Sequence, residues 1–206
     1  MTSPIRPSKL PPLKPGAQFT FGPIVLGFWQ WAMSDVRMNT VRGYLAEFMV
    51  ATATGDPREP RIEWAPFDVL TRDGAKVEVK ASGYLQSWTS TSPTTPRWDC
   101  KSVDASSSWD EEAAMTKPVK PSDRVNAWAF ALQTCREPAD YRPLDMNQWE
   151  FRVVPHRRLL KLRQHYIGIS ALEAEPVAAA AVSYDDLDRA VRRAFEENKA
   201  CKYKAS

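Results

Sequence analysis

The chain has 206 residues, 43% hydrophobic and 26% charged, with a formal net charge of +3. That length and apolar content suffice for one sizeable core, while no run approaches the roughly 18 apolar residues of a membrane helix. Two histidines, His156 and His165, are too few for zinc-hydrolase chemistry, and so small a net charge means that nucleic-acid binding has to be argued from a local patch.

Residues 1–18 read as an extended or disordered basic arm. Met1 to Gly16 holds five prolines, the basic residues Arg6, Lys9 and Lys14 and no acid. It is either a phosphate-tracking arm or a plain solubilising tail, and it has no signal-peptide core. Residues 19–206 form a single predicted domain. Phe21, Ile24, Val25, Leu26, Phe28, Trp29 and Trp31 make an apolar run expected to pack against the following helix. That helix is predicted from Ser34 to Gly55, with Ser34 as N-cap, Asp35 in the first turn and Gly55 as the stop. Asn39, Gly43 and Glu47 form one stripe with Ala46 and Val50. Gly43 costs about 1 kcal/mol against alanine, a cost expected to be offset by a close helix–sheet approach.

The most informative stretch is Phe67–Lys80, read as a hairpin turned at Asp73-Gly74. Val77 and Val79 alternate with Glu78 and Lys80, giving one apolar and one charged face. A two-residue loop would set Asp68 opposite Val79, on the apolar face. A three-residue loop, Arg72-Asp73-Gly74, pairs Thr71 with Ala75 and sets Asp68 opposite Glu78, with Gly74 in a left-handed slot. The second register is predicted, because a lone acid among valines is costly to bury. Two acids and a lysine on one strand face suit a divalent cation and an attacking water. The alternative is a solvated amphipathic hairpin.

Pro66-Phe67-Asp68 followed by Glu78-Val79-Lys80 resembles the PD-(D/E)xK nuclease superfamily, the restriction-endonuclease-like fold, although here the proline stands two positions before the acid. Helix and hairpin together, from Asn39-Thr40-Val41-Arg42-Gly43 through Ala46-Glu47 to Lys80, also look like a group of small bacterial proteins assigned to that fold. The resemblance covers roughly residues 29–155. It implies an α/β fold, a mixed β-sheet flanked by helices, and a Mg²⁺- or Mn²⁺-dependent endonuclease acting on nucleic acid, most plausibly DNA. Asp68, Glu78 and the Val79 carbonyl would hold the ion. Lys80 would orient and help deprotonate the attacking water and offset charge on the phosphate. Glu47 takes a metal-site role only through the resemblance; otherwise it is a surface acid paired with Arg42 or Arg37. Gln86 is a secondary catalytic candidate, its amide bonding either a phosphate or metal-bound water, or local backbone. The rival reading is a non-catalytic nucleic-acid-binding or assembly module on the same fold.

Residues 89–123 read as an irregular insertion rich in Ser, Thr and Pro, with one short strand possible over 97–103 and no chemistry assigned. An apolar run from Val125 to Leu132 predicts a central strand covered on both faces, and Trp149–Val154 a further strand ended by Pro155. Arg152, His156, Arg157, Arg158, Lys161 and Arg163 then concentrate basic charge with no acid among residues 151–163. Arg152, Arg157, Arg158, Lys161 and Arg163 are therefore the candidate nucleic-acid contacts, the alternative being a solvated helix face. The last helix is predicted from Ser183 to about Asn198, with Leu187, Val191 and Phe195 as its apolar stripe. Cys100, Cys135 and Cys201 are too scattered for a disulfide framework, so a cytoplasmic, reducing setting is expected. Cutting both strands of a duplex takes two sites, which makes a homodimer an expectation without a legible surface.

Overall fold

The computed structural model describes residues 12–20, 22–55, 61–62, 65–88, 92–101, 103 and 124–200, and the backbone alone at 107–110 and 115–118. The basic residues Arg6 and Lys9 of the arm, Lys120 and Cys201 lie outside the described residues.

The fold is mixed α/β. A four-stranded sheet has the order β1 (Val69–Leu70), β2 (Lys76–Gly83), β6 (Ala127–Gln133), β7 (Trp149–Pro155). β1 and β2 form an antiparallel hairpin, β2 and β6 run parallel, and β6 and β7 are antiparallel. The sheet is mixed because the chain leaves β2 and returns only after residues 84–126. That crossover includes β3 (Arg97–Asp99) and the hairpin β4 (Ser107–Asp110) and β5 (Met115–Pro118). The expected irregular insertion thus contains paired strands. β3 pairs with β8 (Tyr166–Gly168), far away in sequence.

β6 is buried along its whole length, as its apolar run predicts. Alternation divides the core between its two faces. Ala129 and Ala131 lie with Val77 and Val79 against Ala46, Met49 and Val50 of the helix Asn39–Thr54, and against Leu187, Val191 and Phe195. Trp128, Phe130 and Leu132 lie on the opposite face with Trp98, Cys100, Leu159, Ile167 and Leu172. Each fully buried large side chain contributes about 1.5–3 kcal/mol of apolar transfer, and Trp98 stands edge-on to Phe130 at 5.5 Å.

The helices depart from the pattern at their starts. The helix expected from Ser34 to Gly55 is α2 (Asn39–Thr54), which starts five residues later, and a separate helix, α1 (Val25–Met33), precedes it. Ser34 closes α1, and Asp35 makes a turn by accepting from the Arg37 backbone and guanidinium at 3.0 and 2.8 Å. This local side-chain bond competes with helical pairing at the point where the Ser34 cap was expected. Phe21 lies outside the described residues; among those described, only Val25 of α1 is buried and Leu26, Phe28, Trp31 and Met33 are exposed, so this run does not form the close-packed layer expected on α2. Gly43 is likewise corrected: a Cβ built there meets nothing within 4 Å. Close contact occurs instead through Ala46 and Val50, both fully buried.

After β7 the chain makes α3 (His156–Leu159) and a 3₁₀ turn (Leu160–Leu162), then β8 and α4 (Ile169–Glu173). α5 (Leu187–Ala200) begins later than Ser183, after a turn in which Leu187 N donates to Tyr184 O. Its predicted stripe is the face that enters the core. Among the described residues, no helix is long and apolar enough to cross a membrane.

Candidate metal and phosphate site

The hairpin adopts the three-residue loop. Thr71 N donates to Ala75 O at 2.9 Å, Gly74 N to Thr71 O at 2.9 Å, and Gly74 has φ +82°. Val69 pairs with Val77 and Leu70 with Lys76; continuing that register by one residue sets Asp68 against Glu78.

β1 is only two residues long, so β2 has an open outer edge beyond Val77. Asp68 occupies that edge. Its backbone N donates to Val77 O at 3.0 Å, and its Oδ2 accepts from Val79 N at 2.7 Å. The N–H and C=O of one strand residue point to the same side. The Val79 carbonyl is therefore directed to the same edge as the Asp68 carboxylate.

Glu78 is buried at 7% exposure, on the sheet face that carries Trp128. Its Oε1 accepts from Lys80 Nζ at 2.9 Å and its Oε2 from Arg124 Nη1 at 3.3 Å. Arg124, itself buried, also donates from Nη1 to Pro66 O at 2.8 Å, tying the segment before Asp68 to Glu78. Lys80 Nζ stands 5.9 Å from the Trp128 ring centroid. Glu47, on α2, accepts from Arg61 Nε at 2.8 Å and Nη2 at 3.2 Å. Its partner is thus neither Arg42 nor Arg37. Arg42 is instead buried beneath the helix start, donating to Leu85 O and Arg37 O at 2.7 Å each and to Gln86 Oε1 at 3.1 Å.

These placements crowd negative charge. Burial, then the charges of Glu78 and Glu47, push the Asp68 carboxyl up to about 7, against smaller opposing effects of the Val79 N–H and Lys80. Burial pulls the Lys80 ammonium down, but the charge and hydrogen bond of Glu78, with Asp68, hold it net above the ordinary lysine value. His156 is driven to about 4 by burial and by Arg124; its Nδ1 accepts from Trp128 Nε1 at 2.9 Å, which assigns the imidazole a packing role.

Gln86 is 8% exposed, and its amide is used within the fold: besides accepting from Arg42, its Nε2 donates to Gly83 O at 2.9 Å. It lines, with Lys80, a cleft of about 680 Å³. The basic cluster is dispersed by acids that lie elsewhere in the sequence. Arg152 is buried and donates to Glu173 at 2.6 Å and Glu150 at 3.4 Å. Arg157 and Arg158 both bond Glu197 of α5, at 2.9 and 2.6 Å. Lys161 and Arg163 are exposed. The contiguous basic helix face expected from residues 152–163 is therefore not formed, because the run breaks after one helical turn and three of its five cations are paired.

Sequence reasoning missed Arg124 and Arg61, the two guanidinium groups that hold the acids. No spacing signals them, since Arg124 is 46 residues from Glu78 and reaches it only through the parallel β2–β6 pairing. Among the described residues, no three His, Cys, Asp or Glu side chains gather to hold a metal ion by themselves. No family model matches the chain, and no curated protein or solved structure matches it either.

Proposed function

We propose that the chain is a restriction-endonuclease-like, metal-dependent nuclease that hydrolyses phosphodiester bonds in nucleic acid. The observation that carries this reading is the pairing of Asp68 with Glu78 beside Lys80, in a setting that drives Asp68 to about 7. An isolated fold gains nothing from forcing a buried carboxylate against two others. A cation at that edge would relieve the repulsion, and the donors fit a hard one: two carboxylates and the Val79 carbonyl, with water completing the shell. Mg²⁺ commonly takes only one or two carboxylates, so the absence of a third acidic ligand is no obstacle.

When bound, Mg²⁺ or Mn²⁺ would supply an acidified water and neutralise phosphate charge. Asp68 and Glu78 hold and orient through their carboxylate oxygens. Glu47 lends its charge from the helix side, with Arg61 fixing its position. Lys80 is kept protonated by Glu78, so it acts as a cation toward a non-bridging phosphate oxygen and stabilises the charge that grows there. Of the two roles expected of it, this favours offsetting phosphate charge over deprotonating the water. Lys161 and Arg163 are the exposed members of the basic cluster available for backbone phosphates.

A Mg²⁺-dependent nicking assay on plasmid tests the reading. Asp68→Ala and Lys80→Ala are each expected to abolish nicking while the variant still folds. Full activity in either purified variant removes the assignment. One observation favours the non-catalytic module: Glu47 and Glu78 are already engaged by cations. That reading predicts no nicking by the wild type with any divalent ion.

A further inference from the structure

We propose that the cleft beside Lys80 seats an unpaired nucleobase, which makes the substrate single-stranded or locally opened nucleic acid rather than a continuous duplex; this rests on the nuclease reading above for its function, though not for its binding chemistry.

The cleft, about 680 Å³, is of the size that holds small organic ligands. Two large aromatic side chains stand exposed on its lining: Trp88 at 65% and Tyr166 at 54%. Trp98, Trp128 and Trp149 are almost fully buried, whereas Trp31, at 85%, and Trp88 are exposed, and of these two only Trp88 lines the cleft. Lys101 Nζ lies 4.9 Å from the Tyr166 ring centroid and 3.1 Å from Asp99, which restrains the ring at the rim. Asn39 and Thr95 are exposed on the same lining and can meet a base edge, whereas Ser82 is buried and Thr94 Oγ1 is bonded to the Gly83 and Tyr84 carbonyls. Arg97, Lys101 and Lys80 bring positive charge to it, offset in part by Asp99 on the same lining and by Glu78 bonded to Lys80.

Lys80 is the link. It lines the cleft and also bonds Glu78 at 2.9 Å, so a base in the cleft lies next to a phosphate at the acids. Aromatic side chains bind bases by face-to-face stacking, and in a duplex both faces of each base are already covered by neighbouring pairs. A ring on the lining of a cleft reaches a base face only when that base is unstacked. The combination of exposed rings, base-edge hydrogen-bonding groups and cations is that of a single-strand groove.

The test is binding of a labelled oligonucleotide, single-stranded and as its blunt duplex, by fluorescence anisotropy with the full chain in EDTA, where no cleavage occurs. The single strand is expected to bind on the order of tenfold tighter than the duplex, and Trp88→Ala or Tyr166→Ala to weaken it by about tenfold each. Trp88→Phe should restore most of the loss, since it keeps a ring. Both positions are exposed, and unchanged thermal unfolding verifies that the variants fold. Equal or tighter duplex binding, no binding of either form, or indifference to Trp88→Ala overturns the inference. The Mg²⁺ nicking assay is read separately. Duplex cleavage that ignores Trp88 overturns the base seat and keeps the nuclease. Ring-dependent binding of the single strand without cleavage by any divalent ion supports the seat and removes the nuclease.

Discussion

Replacing Asp68 by asparagine should stabilise the metal-free protein at neutral and alkaline pH. The carboxyl is raised from 3.8 to about 7 by burial and by the charges of Glu78 and Glu47. At about 1.4 kcal/mol per pH unit, the ceiling on the cost of ionising it in the folded state is about 4 kcal/mol. Relaxation and water reduce this, so we expect about 1–3 kcal/mol, or a few degrees in Tm for a chain of this size. Asparagine keeps an oxygen for the Val79 N–H, so the edge bond at 2.7 Å survives the change. The sign follows from linkage. The acid has a folded pKa above its unfolded one, so the folded state holds a proton that the unfolded state has lost. Wild-type stability therefore falls as pH rises from about 4 to about 7, then levels. His156 works oppositely, since its folded pKa of about 4 lies below 6.5 and costs stability as pH falls through that range. The two effects are separated by subtracting the wild-type curve from that of Asp68→Asn, measured by circular dichroism in EDTA between pH 4 and 8. The gap should open with pH in favour of the variant. Added Mg²⁺ should raise the Tm of the wild type and not that of the variant. A variant less stable than wild type at pH 8, or a gap independent of pH, refutes the charge-crowding argument.

Gly43→Ala should stabilise the fold by about 0.5–1 kcal/mol, because a Cβ there meets nothing within 4 Å and glycine is a poor interior helix residue; chemical denaturation that shows a loss would contradict the open space. Gly83→Ala should destabilise by about 1–3 kcal/mol, since its Cβ would come within 3.3 Å of Arg42 Cζ, a group pinned by hydrogen bonds and 1% exposed; an unchanged denaturation midpoint would show that Arg42 can yield. Arg124→Ala should cost about 3 kcal/mol by leaving buried Glu78 with one fewer partner and freeing Pro66 O, and a change below about 1 kcal/mol would mean the pair is solvated.

Local pattern carried a good part of this molecule. The loop register follows from Gly74, the one residue there that enters a left-handed conformation cheaply, and from the cost of an acid among Val77 and Val79. The uniform apolar run of β6 and the stripe of α5 are legible because burial on two faces leaves an unbroken apolar run and burial on one face a periodic stripe. The placing of Asp68, Glu78 and Lys80 in one neighbourhood needs only a hairpin, an interaction of short sequence separation. What the tertiary structure alone decided involves partners far apart in the chain. Arg124 reaches Glu78, Arg61 reaches Glu47, and Glu173 and Glu197 neutralise a basic run that looks unopposed in sequence. The cleft is likewise assembled from α2, the end of β2, β3 and β8, so Tyr166 comes to lie beside Asp99 on its lining only when β3 and β8 have paired. Side-chain charge and burial are properties of who comes to lie beside whom, and a one-dimensional pattern records them only where the neighbours are also neighbours along the chain.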